Sequence, residues 1–242
     1  MILSTTYGQP LKIEVVGDSI LKGVQLDEST DRYVLNNNID TAYLEKKYNL
    51  KINNRSAFGC TVTKGIKTVA RVLGAEKPCD ALVVNFGGND CDFYWKEISD
   101  NPDGEHLPHT PKEQFRKIYT EMIQMIKERG ITPVAVTLPP LDSDMFFERF
   151  CGGLDTQNVM KWLKRRSIIF EHHAEYSHTV ECVAKEFDVP VVDIRSAFLA
   201  EGHYSRFLCR DGTHPNTDGQ RIITRTFDAF AQRYLGGGNL IK

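Results

Sequence analysis

The sequence predicts an α/β protein, a three-layer α/β/α sandwich built on a five-stranded parallel sheet. Three observations predict it. Five short runs rich in Val and Ile recur along the chain, each ended by Gly, Pro or polar residues. Longer stretches with apolar residues at helical spacing lie between and after them. The 242 residues, 41% hydrophobic and 26% charged, have the make-up of an ordinary globular protein and suit one α/β domain. Each parallel crossover needs a helix and is right-handed, so the helices cover both faces of the sheet.

The elements follow in order. "LKIEVVG" (11 to 17) is the first strand, and it breaks into Gly-Asp-Ser where a strand should hand over to a helix. "LKINNRS" (50 to 56) is the second, followed by Val62, Ile66, Val69 and Leu73 at i, i+4, i+7 and i+11 of a helix. "DALVVNFG" (80 to 87) is the third. "TPKE" (Thr110 to Glu113) then announces a helix, with a capping Thr, Pro at the first helical position and Glu at the third, and Phe115, Ile118, Met122 and Ile126 form its stripe. "ITPVAVTL" (131 to 138) and "VPVVDI" (189 to 194) are the fourth and fifth strands, and between them Ile169, His173, Tyr176, Val180, Val183 and Phe187 make an amphipathic stripe. "TDGQ" (Thr217 to Gln220) repeats the capping-box logic before Ile223, Phe227, Phe230 and Tyr234. No repeat or linker marks a second domain, so 1 to 242 is expected to be one unit with a flexible tail over 235 to 242.

Two connections, 91 to 109 and 139 to 158, are too long for simple turns. Their aromatic residues, Phe93, Tyr94, Trp95, Phe146, Phe147 and Phe150, need something to pack on, which argues for ordered loops. Both leave the carboxyl edge of the sheet, where chemistry gathers in such folds.

The formal net charge of −2 provides no field for nucleic acid or an anionic membrane. The one dense basic run, "KWLKRR" (161 to 166), alternates with apolar residues and reads as a solvated helix face. The six cysteines are scattered without a C-x-x-C pair and read as reduced thiols. No leader-like start and no apolar run of membrane-spanning length is present, so the expectation is a cytoplasmic protein with no membrane partner; a homo-oligomer is left open. On a helix, Glu171, Glu175 and His178 of "EHHAEYSH" would share a face, but no zinc-like spacing accompanies them. The expectation is no metal and no cofactor, with His173 as a packed, hydrogen-bonded core residue.

Acyl transfer by serine needs a nucleophile, a base, an acceptor that orients the base, and donors aimed at the developing oxyanion. The residues just past the strand ends can supply all four. Ser19 stands on the strand-to-helix corner and can act as nucleophile, with its own N–H as one donor. His214 would take and return the proton, and Asp211, three residues before it, would fix the imidazole tautomer. Gly59 offers a backbone N–H and Asn89 a side-chain amide, so Ser19, Gly59 and Asn89 form the expected oxyanion hole. Asp18, Asp90 and Asp193 read as structural acceptors of backbone N–H groups.

The ordered set "GDS" (17 to 19), Gly59, "GGND" (87 to 90) and "DGTH" (211 to 214) resembles the SGNH hydrolases, the GDSL-type esterases and lipases. The first block reads "GDSI" where the family name has Leu. The resemblance implies a flavodoxin-like sandwich and a cofactor-free serine esterase acting on a short-chain or acetyl ester of a small soluble molecule, such as an acetylated sugar, through an acyl-serine intermediate. Phe93, Tyr94 and Trp95, directly after the third block, are candidates to bind that substrate. Two other readings share the fold: an acyltransferase, and a non-catalytic domain that binds an acylated ligand. A metallophosphoesterase would want a D-x-H motif before the first block, and residues 1 to 16 contain no His or Asp.

Overall fold

The computed structural model describes residues 8–35, 40–76 and 79–235. The expected flexible tail falls, apart from Leu235, outside these residues. In chain order the elements are β1 (Leu11–Gly17), α1 (Ser19–Lys22), β2 (Val24–Asp27), β3 (Arg32–Leu35), α2 (Thr41–Tyr48), β4 (Leu50–Asn54), α3 (Val62–Leu73) and β5 (Ala81–Asn85). Then come α4 (Trp95–Asp100), α5 (Lys112–Glu128), β6 (Thr132–Val136), α6 (Ser143–Cys151), α7 (Thr156–Leu163), α8 (Ser167–Glu186), β7 (Val191–Val192), α9 (Ile194–Leu199), a 3-10 turn (Tyr204–Phe207) and α10 (Thr217–Leu235).

The sheet order is β4-β1-β5-β6-β7, with every neighbouring pair parallel. These are the five expected strands in the order second, first, third, fourth, fifth, the flavodoxin-like arrangement. Alternation along the strands feeds two cores, as the pleat requires. Val16, Leu82, Val84 and Ala135 face α3, α5 and α8, while Val15, Val83, Val134 and Val136 face α1, α9 and α10. Both helical layers expected from the apolar stripes are therefore present, and the sandwich has three layers.

The strand order reverses between β1 and β5, and the crevice outside their carboxyl ends is where ligands bind in such sheets. Ser19 leaves one strand there and Gly87–Asp90 leave the other. Two buried carboxyls tie this edge together. Asp18 caps α1, its Oδ1 accepting from the Ile20 N–H at 2.9 Å. Asp90 accepts from the Val62 N–H at 3.0 Å and so closes the open start of α3, whose own Thr61 makes no side-chain cap.

Several local expectations need correction. The connections 91–109 and 139–158 are not plain loops: the first contains α4, and the second contains α6 and the start of α7. Their apolar residues form a third cluster, with Trp95, Ile98, Phe147, Cys151, Val159 and Leu163 at its heart, packed at the carboxyl edge. The antiparallel hairpin β2–β3 and helix α2 were not anticipated. Thr110 does not cap α5, which starts at Lys112; its N–H is donated to Asp90 O at 2.9 Å and its carbonyl accepts from Tyr176 Oη at 2.7 Å. The cap of α10 is Asn216 rather than Thr217, because Asn216 Oδ1 accepts from the Asp218 and Gly219 N–H groups at 3.0 and 3.1 Å.

The two buried carboxyls have a consequence for stability. Burial pushes Asp18 up to about 7, against the pull of the Ile20 N–H, and Asp90 up to about 6, against its bonds to Thr110 and Val62. Each holds its proton more tightly folded than unfolded, so its contribution is fullest below about pH 4 and is lost as pH rises toward 7. Asn at position 18 can still cap α1 without ionising. In urea titrations Asp18→Asn is expected to gain stability relative to the parent protein between pH 4 and 7; a pH-independent difference would contradict the assignment.

Candidate active site

Ser19 is the first residue of α1, so its backbone N–H lies before the first helical hydrogen bond and is unclaimed by the helix. The turn that supplies Asp211 and His214 is held from outside. Cys209 N–H donates to His214 O at 2.7 Å, Leu208 bridges Pro215, and Asp142 N–H donates to Gly212 O at 2.8 Å. Gly212 has φ +70, and a Cβ there would meet Asp142 O at 2.7 Å, so both its conformation and its contact with α6 require glycine.

Within that turn Asp211 is fully buried and saturated. One carboxylate oxygen accepts the N–H groups of Thr213 and His214 at 3.0 Å each. The other accepts His214 Nδ1–H at 2.7 Å. Burial alone would raise this carboxyl, but the His214 imidazole and the two N–H groups outweigh it and hold Asp211 below the usual carboxylate range. With Nδ1 donating, Nε2 is the acceptor, and it lies 2.9 Å from Ser19 Oγ. The three residues expected to act together are thus in one hydrogen-bonded chain, although 195 positions separate Ser19 from His214.

Asn89 also lines the cavity that opens at Ser19 and His214. Its Nδ2 makes two long contacts, 3.3 Å to Asp18 Oδ2 and 3.4 Å to Cys60 O, and its carbonyl lies 2.9 Å from His109 Nδ1. Gly59 has φ +63 and sits one residue past Phe58; Phe58 lines the cavity and Gly59 does not. Asp193 has the expected structural part: Oδ1 accepts from Ser196 N–H at 3.0 Å and from Thr137 Oγ at 2.9 Å.

The cavity has a volume of about 230 Å³ and runs inward from Ser19 to Leu163, Ile168 and Ile169. Its walls are largely apolar and include the aromatic rings of Phe93, Trp95, Phe146 and Phe150. Of the three candidate substrate-binding residues, Phe93 and Trp95 line it, with Trp95 fixed by an Nε1–H bond to Asp92 Oδ1 at 2.8 Å. Tyr94 does not; it is 55% exposed and packs on the His109 ring at 4.5 Å, because successive residues at the start of α4 point to different sides.

Residues not singled out from the sequence complete the site. The hairpin carries Tyr33 to within 5.1 Å of the His214 ring, and Phe58 lies parallel to that ring at 6.1 Å. Asp31 at the hairpin turn pairs with Arg149 of α6 and with Arg210 beside the Asp211 turn, which ties the hairpin, whose Tyr33 lines the cavity, to both. No local motif marks these contacts, which arise only when β2–β3 folds over the sheet edge.

Glu171 and Glu175 are taken by Arg165 and Lys112, which leaves them poorly placed as metal ligands. Among the described residues no group of three or more His, Cys, Asp or Glu side chains could hold a metal ion. The basic run behaves as a solvated face, with Lys161, Arg165 and Arg166 paired to Asp103, Glu171 and Asp144. All six cysteines are free thiols. His173 departs from expectation: it is buried, but its Nδ1 has no hydrogen-bond partner and its ring lines the cavity. Among the described residues no helix is long and apolar enough to cross a membrane.

Comparison with known proteins gives this geometry a family. The model of the GDSL-like lipase/acylhydrolase family matches residues 15–222. The GDSL esterase/lipase WDL1 of Oryza sativa subsp. japonica is 22% identical over 175 residues, an alignment spanning 70% of this chain and 60% of that protein. Among solved structures, the lipase/acylhydrolase from Enterococcus faecalis superposes with a TM-score of 0.65 at 21% identity, covering 94% of this chain and 96% of that one. A single-substitution variant of Axe2, an acetyl xylan esterase from Geobacillus stearothermophilus, superposes with a TM-score of 0.63 at 20% identity, covering 95% and 96%. TesA gives 0.58 at 19% identity, covering 92% and 98%. At these identities the superpositions carry the fold, and the family model carries the membership. The chain belongs to the GDSL-like lipase/acylhydrolase family.

Proposed function

We propose that the protein is a serine esterase that hydrolyses a short-chain or acetyl ester of a small molecule through an acyl-serine intermediate, with Ser19, His214 and Asp211 as its triad. The observation that carries this reading is the continuous hydrogen-bonded chain from Asp211 Oδ2 through the imidazole to Ser19 Oγ, at 2.7 and 2.9 Å.

Ser19 Oγ attacks the ester carbonyl carbon while its proton passes to His214 Nε2. The carbonyl π electrons move to oxygen, and the resulting oxyanion is met by the free N–H of Ser19 and by Asn89 Nδ2. The contacts that Asn89 makes at 3.3 and 3.4 Å are long enough to be exchanged for a charged acceptor at little cost. Gly59 N–H is the third candidate donor. Collapse expels the alkoxide, which takes the proton from His214 and leaves as the alcohol. Water then repeats the sequence on the acyl-enzyme and releases the acid. Asp211 remains ionised throughout, because it is held below the usual carboxylate range.

The aromatic rings in the cavity wall favour a substrate with an apolar stretch or a sugar face, and one protein of this fold is an acetyl xylan esterase. An acetylated carbohydrate is the substrate class we favour.

Ser19→Ala and His214→Ala are each expected to lower kcat by roughly 10⁴–10⁶-fold, with little further loss in the double variant, since nucleophile and base act as a unit. Multiplying losses would contradict that coupling. Asn89→Ala should lower kcat by about 10²–10³ with a modest change in KM. An effect on KM alone would remove Asn89 from the oxyanion hole. Asp211→Asn should lower kcat by about 10⁴-fold by presenting the wrong imidazole tautomer to Ser19, and full activity in that variant would assign the orienting role elsewhere. Because the serine machinery needs no ion, activity on an aryl acetate should survive dialysis against EDTA; a loss restored by zinc or manganese would overturn the mechanism.

A further inference from the structure

The inner wall of the cavity carries hydrogen-bonding groups that the triad does not use. His172 and His173, consecutive on α8, both line it. His173 is 5% exposed and its Nδ1 is buried without a partner; His172 Nε2 is buried and unpartnered as well. Burial, with the Arg195 charge behind it, pushes His173 down to about 3, and burial also lowers His172. Both rings are therefore neutral at working pH, with one N–H donor and one lone pair each, and His172 already bonds the Cys91 backbone, which leaves its Nε2.

A third group stands beside them. Asp92 lines the same cavity and spends Oδ1 on the Phe93 N–H at 2.9 Å and Trp95 Nε1–H at 2.8 Å, which leaves Oδ2 without a partner among the described residues. Phe93 connects the two, since its ring lies 4.9 Å from that of His172. Buried polar atoms are nearly always paired, so the two unpaired imidazole nitrogens, on side chains that line this cavity, point to what fills it. A plain alkyl chain would satisfy the aromatic walls and leave these atoms desolvated. A cation would face Arg195 behind His173, and an anion would face Asp92.

We propose that His172, His173 and Asp92 form a recognition site for an uncharged hydroxyl carried by the ester at a point remote from the scissile carbonyl. The proposal rests on the esterase reading and deepens it: the enzyme selects hydroxylated esters over alkyl esters of the same length. The hydroxyl can belong to the acyl part or to the alcohol part, and the two sources are separable.

The test uses matched pairs on the purified protein: aryl hexanoate against aryl 6-hydroxyhexanoate for the acyl part, and hexyl acetate against the monoacetate of 1,6-hexanediol for the alcohol part. One arm should favour the hydroxylated member by about tenfold or more in kcat/KM, expressed mainly in KM. In that arm His173→Phe should bring the ratio close to one and His173→Gln should retain part of it, with thermal melts reporting that each variant is folded. The ratio in the unmutated protein decides the matter even if a variant does not fold. Ratios at or below one in both arms, with the plain esters turned over, would overturn the recognition site and leave the esterase reading intact; water then fills these positions. A ratio that persists in folded His173→Phe would also overturn it. Failure to hydrolyse any ester would instead remove the esterase reading, and this inference with it.

Discussion

A buried carboxylate must be paired, and the way Asp211 is paired dictates much of the architecture around it. With no solvent exposure, it requires three donors, and two of them are the backbone N–H groups of its own turn. That arrangement bends residues 211 to 214 so tightly that position 212 must be glycine, and it leaves one oxygen for His214 Nδ1. The ring is then fixed in direction and tautomer before any substrate arrives. What remains is to bring a hydroxyl to Nε2, and the parallel sheet does this by ending β1 at that point.

The same edge shows how the surrounding packing serves the geometry. Gly212 rests on the start of α6, and α6 belongs to the aromatic cluster that walls the cavity. Phe146 lies in that cluster and also lines the cavity, so filling the core and shaping the site are one act of packing. From the other side the hairpin brings Tyr33 over the imidazole and is anchored through Asp31 to Arg149 and Arg210. These ion pairs are partly exposed and each contributes little to global stability. Their effect is directional: they connect the hairpin to α6 and to the Asp211 turn.

The sheet was legible because its central strands are buried on both faces and read as short Val and Ile runs, and the long helices because their stripes persist for three turns or more. Ser19 was legible because it lies just past the marked end of β1, whereas Asp211 and His214, before α10, were joined to it by the resemblance of the ordered blocks. Short elements were not legible. Helices α4 and α6 span six and nine residues, too few for a stripe to emerge beside Asp, Gly and Pro. The four-residue strands of the hairpin carry no Asn-Gly or Asp-Gly turn signal, and their turn closes through Asp31 at φ 55. His173 was misread in part because periodicity reports that a residue faces inward and not whether it meets packing or a cavity. Gly59 has the reverse problem, since a sequence position near the site does not say where its N–H points.

The central claim is that Ser19 is an activated nucleophile because His214 and Asp211 prepare it. Labelling with a fluorophosphonate, read by intact mass and then by peptide mapping, tests this most directly, because the reagent reacts with a serine only where a base and an oxyanion site are already in place. The account predicts a single adduct, on Ser19, that is lost on heat denaturation before labelling. An adduct on another serine, or no adduct in a folded sample, would contradict it.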